Sequence, residues 1–148
     1  MVAFKAPEKE TLTKEFRTQF GEKRTYLDYV KDLSWVGGFF DGEGCIYYKE
    51  LAVKNTVNGK QYSYPEVQVI VAQSGEEGKT LLEMFQVEYG FGKITSNHGS
   101  KLTKKTPYMT RMSGKKALLF LKKIEPYLLL KQDKARLVIN EQWEHFFD

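Results

Sequence analysis

At 148 residues the chain is long enough for one ordinary domain with a real core. Its formal net charge of +4 and sequence pI near 9.0 are only mildly basic. A lone Cys45 excludes an intrachain disulfide and fits a reducing compartment, and two distant histidines, His98 and His145, argue against a zinc site. No apolar run reaches transmembrane length and the first residues lack the apolar core of a secretory signal, so the expectation is a soluble intracellular protein with no membrane partner.

Residues 1–24 are polar and mixed in charge. Leu12, Phe16 and Phe20 recur every four positions, which predicts either a short amphipathic helix ending at Gly21 or a disordered extension. The domain proper is expected over residues 25–148. Its first helix should start between Tyr26 and Asp32 and end near Asp41.

That helix carries Trp35-Val36-Gly37-Gly38-Phe39-Phe40-Asp41-Gly42-Glu43-Gly44. Two glycines in a helix body cost roughly 1 kcal/mol each relative to alanine, a cost usually offset by close approach of a second backbone. Glu43 sits at the C-terminal end, where the helix dipole is already negative, so a cation is needed to neutralise it. The stretch therefore predicts a tight helix–helix contact with an acid at its base, placed to hold a divalent metal.

A strand follows over about Cys45–Val53, then a turn at Asn58-Gly59, and a second strand over about Tyr64–Ala72. Alternation sends Val67, Val69 and Val71 to the core and Glu66, Gln68 and Ile70 to the opposite face. Ser74-Gly75-Glu76-Glu77 reads as a capping box opening a helix that buries Leu81, Leu82 and Phe85 and stops at Gly90. A third strand is expected over Phe91–Asn97, a basic loop over Gly99–Thr106, and a fourth strand over Tyr108–Met112. Ser113 should cap a helix with Ala117, Leu118, Phe120 and Leu121 inward. Pro126 ends it, and a last helix runs over about Lys131–Phe146.

From Tyr89 to Ile124 there are nine Lys/Arg and no Asp or Glu, a one-signed stretch that favours a polyanionic partner. On the strand face opposite the valines, Tyr47, Lys49, Glu66, Gln68, Ile70, Lys93, Thr95, Asn97, Met109 and Arg111 are candidates to reach base edges, since Arg suits G and Gln or Asn suits A. Lys101, Lys104 and Lys105 in the loop are candidates to hold phosphates.

The order α-β-β-α-β-β-α-α and the motif at Val36–Gly44 resemble the LAGLIDADG homing endonucleases, over most of residues 28–148. The resemblance implies an α+β core in which an antiparallel, saddle-shaped sheet backed by helices lies over DNA. It also implies a metal-dependent endonuclease of the intron-encoded kind that cuts double-stranded DNA at a long, near-palindromic site. With one motif per chain, a C2 homodimer would pair the motif helices through Val36, Gly37, Gly38 and Phe40. Glu43 is then the catalytic metal ligand, with the carbonyl of Gly42 beside it, Mg2+ as the ion, and Mn2+ or Ca2+ able to substitute for binding. Asp41 is a second choice as ligand. Gln73, closing the second strand, matches a polar residue near metal-bound waters. Lys131, within Pro126–Gln132, matches the basic residue that points into the active centre. One departure stands out: where some members have a further basic residue after Gln73, this chain has Glu76 and Glu77, with Lys79 beyond. The alternative is a non-catalytic nucleic-acid binder on the same fold, an RNA maturase or a transcriptional regulator.

Overall fold

A computed structural model describes residues 15–17, 21, 23–54, 57–96 and 105–147. A short antiparallel pair comes first, β1 (Glu15–Arg17) against β2 (Lys23–Thr25). This corrects the expected helix for residues 15–17, while Leu12 and Phe20 lie outside the described residues. An isolated helix of that length is marginal in water, and pairing gives the same backbone groups partners. Arg24 ties the pair to the first helical segment, donating to the Asp28 carbonyl and to Asp32 at 3.3 Å each and lying over the Tyr29 ring.

Two helices come next, α1 (Tyr26–Lys31) and α2 (Leu33–Glu43), where the sequence suggested one. Thr25 and Asp28 form a reciprocal capping box at the start of α1. Asp32 breaks the helix. Its backbone is extended, and its side chain accepts from the amides of Ser34 and Trp35 and from the Ser34 hydroxyl. These bonds, that from Ser34 foremost, together with Arg24 outweigh partial burial and hold the Asp32 carboxyl below its usual range.

The chain then runs β3 (Gly44–Lys54), β4 (Gln61–Ser74), α3 (Gly75–Tyr89), β5 (Thr95–Ser96), β6 (Pro107–Ser113), α4 (Gly114–Ile124), a 3-10 turn (Glu125–Tyr127) and α5 (Gln132–Phe147). The four later strands form one antiparallel sheet in the order β3-β4-β6-β5. The α+β class and the expected core order are therefore observed, with the N-terminal β-pair added.

Val67, Val69 and Val71 are fully buried beneath Leu82 and Phe85 of α3 and Leu118 and Leu121 of α4. Phe91 and Phe120 meet edge to face at 5.1 Å, and Phe40 packs on Phe120 at 5.7 Å. Helices thus cover one face of the sheet and leave the other open.

Three local expectations change. Ser74 caps α3 without a side-chain bond, because Gly75 turns through a left-handed φ of 80° and gives its amide to the Thr106 carbonyl. Ser113 likewise makes no side-chain cap for α4. The third strand shrinks to two residues. Phe91 turns into the core, and Gly92 binds β6 through its amide to Arg111 and its carbonyl to the Thr110 hydroxyl.

Candidate active site and nucleic-acid interface

Helix α2 ends at Glu43 and becomes β3 with no intervening loop. A Cβ on Gly44 would overlap the Phe40 ring, so only glycine lets the strand leave the helix over that buried side chain. The junction fixes Glu43 at the rim of the sheet. Its carboxylate is exposed and has no hydrogen-bond or ion-pair partner among the described residues.

Asp41, two residues earlier, behaves differently. One carboxylate oxygen accepts from the Leu129 amide at 2.6 Å and the other from the Lys131 amide at 3.0 Å. The Lys131 ammonium in turn donates to the Asp41 carbonyl at 2.5 Å. Burial would raise the Asp41 pKa, but the amides of Leu129, Lys131 and Leu130 and the Lys131 charge outweigh it and hold the carboxyl below its usual range. With both oxygens committed, Asp41 is a tether rather than a free metal ligand. Lys131 is half-buried at the C-terminal end of α2, where a cation offsets the helix dipole.

Gln73 lies two residues past Val71, which pairs with Gly44, so its backbone lies alongside the end of α2. On its other side it pairs with Tyr108. The Gln73 Cβ packs against Gly78, where an added Cβ would meet it at 2.7 Å. Glu43, Gln73 and Lys131 therefore gather at one end of the sheet. A groove of about 620 Å³ opens beside Gln73, lined also by Glu76, Glu77, Lys105 and Thr106. The sequence placed Lys105 in a phosphate-holding loop, and the fold brings that residue beside Gln73. The pairing of Ser74 with Pro107 and the bond from the Gly75 amide to the Thr106 carbonyl create this proximity.

The donors at Glu43 and the Gly42 carbonyl are hard oxygens of the kind that suit Mg2+. Among the described residues no three His, Cys, Asp or Glu side chains gather as a metal site.

The sheet register puts the candidate base-reading residues in ranks across the open face. Lys49 pairs with Glu66, and Tyr47 with Gln68. Ile70 lies beside Arg111, and Thr95 pairs with Met109. Arg111 is exposed and has no carboxylate partner among the described residues, whereas Gln68 donates to Glu66 at 2.7 Å. Lys93 is exposed next to β5. Asn97, Lys101 and Lys104 lie outside the described residues.

The expected helix seam needs correction. Val36 and Phe40 are fully buried in their own chain, and Gly37 is buried against Tyr127, whose Cβ would lie 2.5 Å from an added Cβ. The close approach that glycine permits at 37 is intramolecular. Gly38 alone of the four is exposed. With Ser34 and Gly42 it forms an open stripe at four-residue spacing.

No family model and no curated protein sequence matches the chain. Solved structures do. Homing endonuclease I-CvuI, in complex with a DNA target in the presence of magnesium, is 25% identical with a TM-score of 0.56, over 73% of this chain and 63% of that one. I-CvuI with its own target and calcium is 24% identical with a TM-score of 0.57, over 78% and 68%. The LAGLIDADG homing endonuclease I-SmaMI bound to cleaved DNA is 14% identical with a TM-score of 0.55, over 81% of this chain but 40% of that one. The chain thus spans about two thirds of the I-CvuI chain and less than half of the I-SmaMI chain, and in fold it belongs with the LAGLIDADG homing endonucleases.

Proposed function

We propose that this protein is a site-specific double-stranded DNA endonuclease that works as a C2 homodimer with Mg2+. The observation that carries the reading is Glu43, an exposed carboxylate without a partner among the described residues at the end of α2, beside an open sheet face bearing Tyr47, Lys49, Gln68 and Arg111. A helix C-terminus is a poor place for a lone acid, and a bound cation removes the conflict.

Two copies joined through Ser34, Gly38 and Gly42 would bring their Glu43 residues together, and the symmetric pair would complete the oxygen shell. Leu129 and Leu130, 82% and 78% exposed in the segment tied to Asp41, would supply apolar surface for the same contact. Mg2+ bound there supplies charge neutralisation at phosphorus and acidifies a water. Gln73 orients water at the strand end. Lys131 stabilises phosphate charge from the base of the helix. On the open face Arg111 and Gln68 read base edges, while Lys49 and Lys93 hold the backbone. Mn2+ and Ca2+ support binding in place of Mg2+. The chemistry belongs to an intracellular, reducing setting, in keeping with the free thiol of Cys45.

The test is Glu43→Gln against a randomised duplex library with Mg2+. Cleavage should vanish while duplex binding persists. A variant that still cuts overturns the assignment. Wild-type protein that binds duplex but never cuts favours a non-catalytic binder on this fold, a reading supported by Glu76 and Glu77 standing beside Gln73 in place of a further basic residue.

A further inference from the structure

The basic run between Tyr89 and Ile124 does not form one surface. Lys93, Lys105 and Arg111 lie on the sheet or at its end, whereas Lys115, Lys116, Lys122 and Lys123 are all exposed on α4. That helix buries Ala117, Leu118, Phe120, Leu121 and Ile124 on the valine side of the sheet. Its lysines therefore face away from the open face that is proposed for duplex DNA.

The four form two pairs, two helical turns or about 10 Å apart. None has an ion-pair partner among the described residues. Lys122 and Lys123 at the C-terminal end suit the helix dipole, so helix stability alone accounts for them. Lys115 and Lys116 are in the first turn, which holds no acid and has no side-chain cap, and there they work against the dipole. Helix stability does not account for that pair.

Aromatic rings stand beside the same lysines. Lys115 Nζ lies 6.0 Å from the Phe147 ring, Lys122 Nζ 5.8 Å from Trp143 and Lys123 Nζ 6.0 Å from Tyr89. A groove of about 160 Å³ opens here, lined by Glu88, Tyr89, Lys116, Leu119, Phe120 and Lys123, with Leu119 45% exposed. Ammonium groups spaced along a ridge, next to a groove that presents Tyr89 and the exposed Leu119 between charged side chains, match a strand whose phosphates and unpaired bases are both accessible. A duplex hides its bases and leaves the groove unused. Glu88, the one acid in the lining, can accept from an exocyclic amino group.

We propose that the outer face of α4 with the Tyr89 groove binds a single-stranded polynucleotide, separately from the duplex site on the sheet. Fluorescence anisotropy on the full chain tests this, with labelled RNA and single-stranded DNA of one mixed sequence titrated at several salt concentrations. The variant carrying Lys115→Ser, Lys116→Ser, Lys122→Ser and Lys123→Ser should lose affinity on the order of ten-fold or more, and its slope of log affinity against log salt should fall by about 3. A double variant, Lys116→Glu with Lys123→Glu, should lose the strand as well. Both should stay cooperatively folded and keep wild-type duplex affinity, and saturating unlabelled duplex should not displace the strand. Tighter RNA binding would assign the site to RNA, and tighter binding of the DNA strand would assign it to DNA. Unchanged strand affinity in the quadruple variant, full displacement by duplex, or binding to anionic vesicles with none to either strand would overturn the proposal. None of these outcomes depends on whether Glu43 supports cleavage.

Discussion

Lys131 and Asp41, 90 residues apart in sequence, clasp each other twice: the Lys131 amide donates to the Asp41 carboxylate, and its ammonium donates to the Asp41 carbonyl. The clasp joins the end of α2 to the start of α5 and so sets where Glu43 lies. Asp41→Asn keeps an acceptor oxygen but loses the charge, and should cost on the order of 1–3 kcal/mol at neutral pH. The folded Asp41 carboxyl is held below its unfolded value, so its stabilisation is present above about pH 4 and fades as pH falls through the folded value. Urea midpoints of wild type and Asp41→Asn should therefore converge on acidification. A gap that stays constant from pH 7 to pH 3 would mean that the carboxylate charge does not matter.

Gly37 and Gly38 make opposite predictions although they are neighbours. An added methyl at 37 meets the Tyr127 Cβ and backbone, so Gly37→Ala should destabilise the fold by about 1–3 kcal/mol. Nothing lies within 4 Å of an added Cβ at 38, so Gly38→Ala should gain up to about 1 kcal/mol from helix propensity. If Gly38 lies on the dimer seam, Gly38→Leu should leave thermal stability of the dilute chain intact and weaken self-association in sedimentation experiments. An unchanged dissociation constant would remove Gly38 from the seam.

These two glycines also show how far the sequence can be read. Period-two alternation puts Val67, Val69 and Val71 inside, and Gly90 marks the end of α3, because both are matters of local chemistry. The pair Gly37-Gly38 promises a close approach, but adjacent helical residues point about 100° apart, and nothing local says which one faces the chain's own Tyr127. The sequence therefore points the seam at Val36, Gly37, Gly38 and Phe40, of which all but Gly38 are buried in the same chain. The Asp41–Lys131 clasp and the Lys105–Gln73 groove are hidden for the same reason, since both depend on contacts made only when distant elements dock. Near the N-terminus, the spacing of Leu12, Phe16 and Phe20 suggests a helix, whereas residues 15–17 pair with Lys23–Thr25.

Arg111 is the exposed cation on the open face best suited to reading a base, because its planar fork matches the two acceptors of guanine. Arg111→Ala should cost about 1–3 kcal/mol of duplex affinity and relax the requirement at one base-pair position. Selection from a randomised duplex library would reveal that position. Uniform weakening across all sequences, with the salt slope reduced by about 1, would make Arg111 a phosphate contact instead.

Lys131→Met separates the two roles this lysine can have. It removes the ammonium from the Asp41 carbonyl while keeping much of the side-chain bulk. If the cation acts on phosphate, the cleavage rate should fall on the order of a hundred-fold or more, with duplex affinity and the urea midpoint little changed. If it serves only as a clasp, stability and activity should fall together.

Tyr89 gives a prediction at the alkaline end. Its hydroxyl donates to the Val30 carbonyl at 2.5 Å, tying α3 to α1. Burial, with the nearby charges of Glu88 and Asp32, pushes its pKa up to about 12. The folded value lies above the unfolded value near 10, so this contribution to stability is complete below about pH 10 and is lost as pH rises toward 12. Tyr89→Phe should lose about 1 kcal/mol at pH 8 through the missing hydrogen bond. It should also lack this tyrosine's share of the alkaline decline, so the gap between the two proteins should narrow between pH 10 and 12. Urea titrations of both proteins at pH 8, 10 and 11 measure the gap directly, and a gap that widens with pH would show that ionised Tyr89 is better accommodated in the folded chain than in the unfolded one.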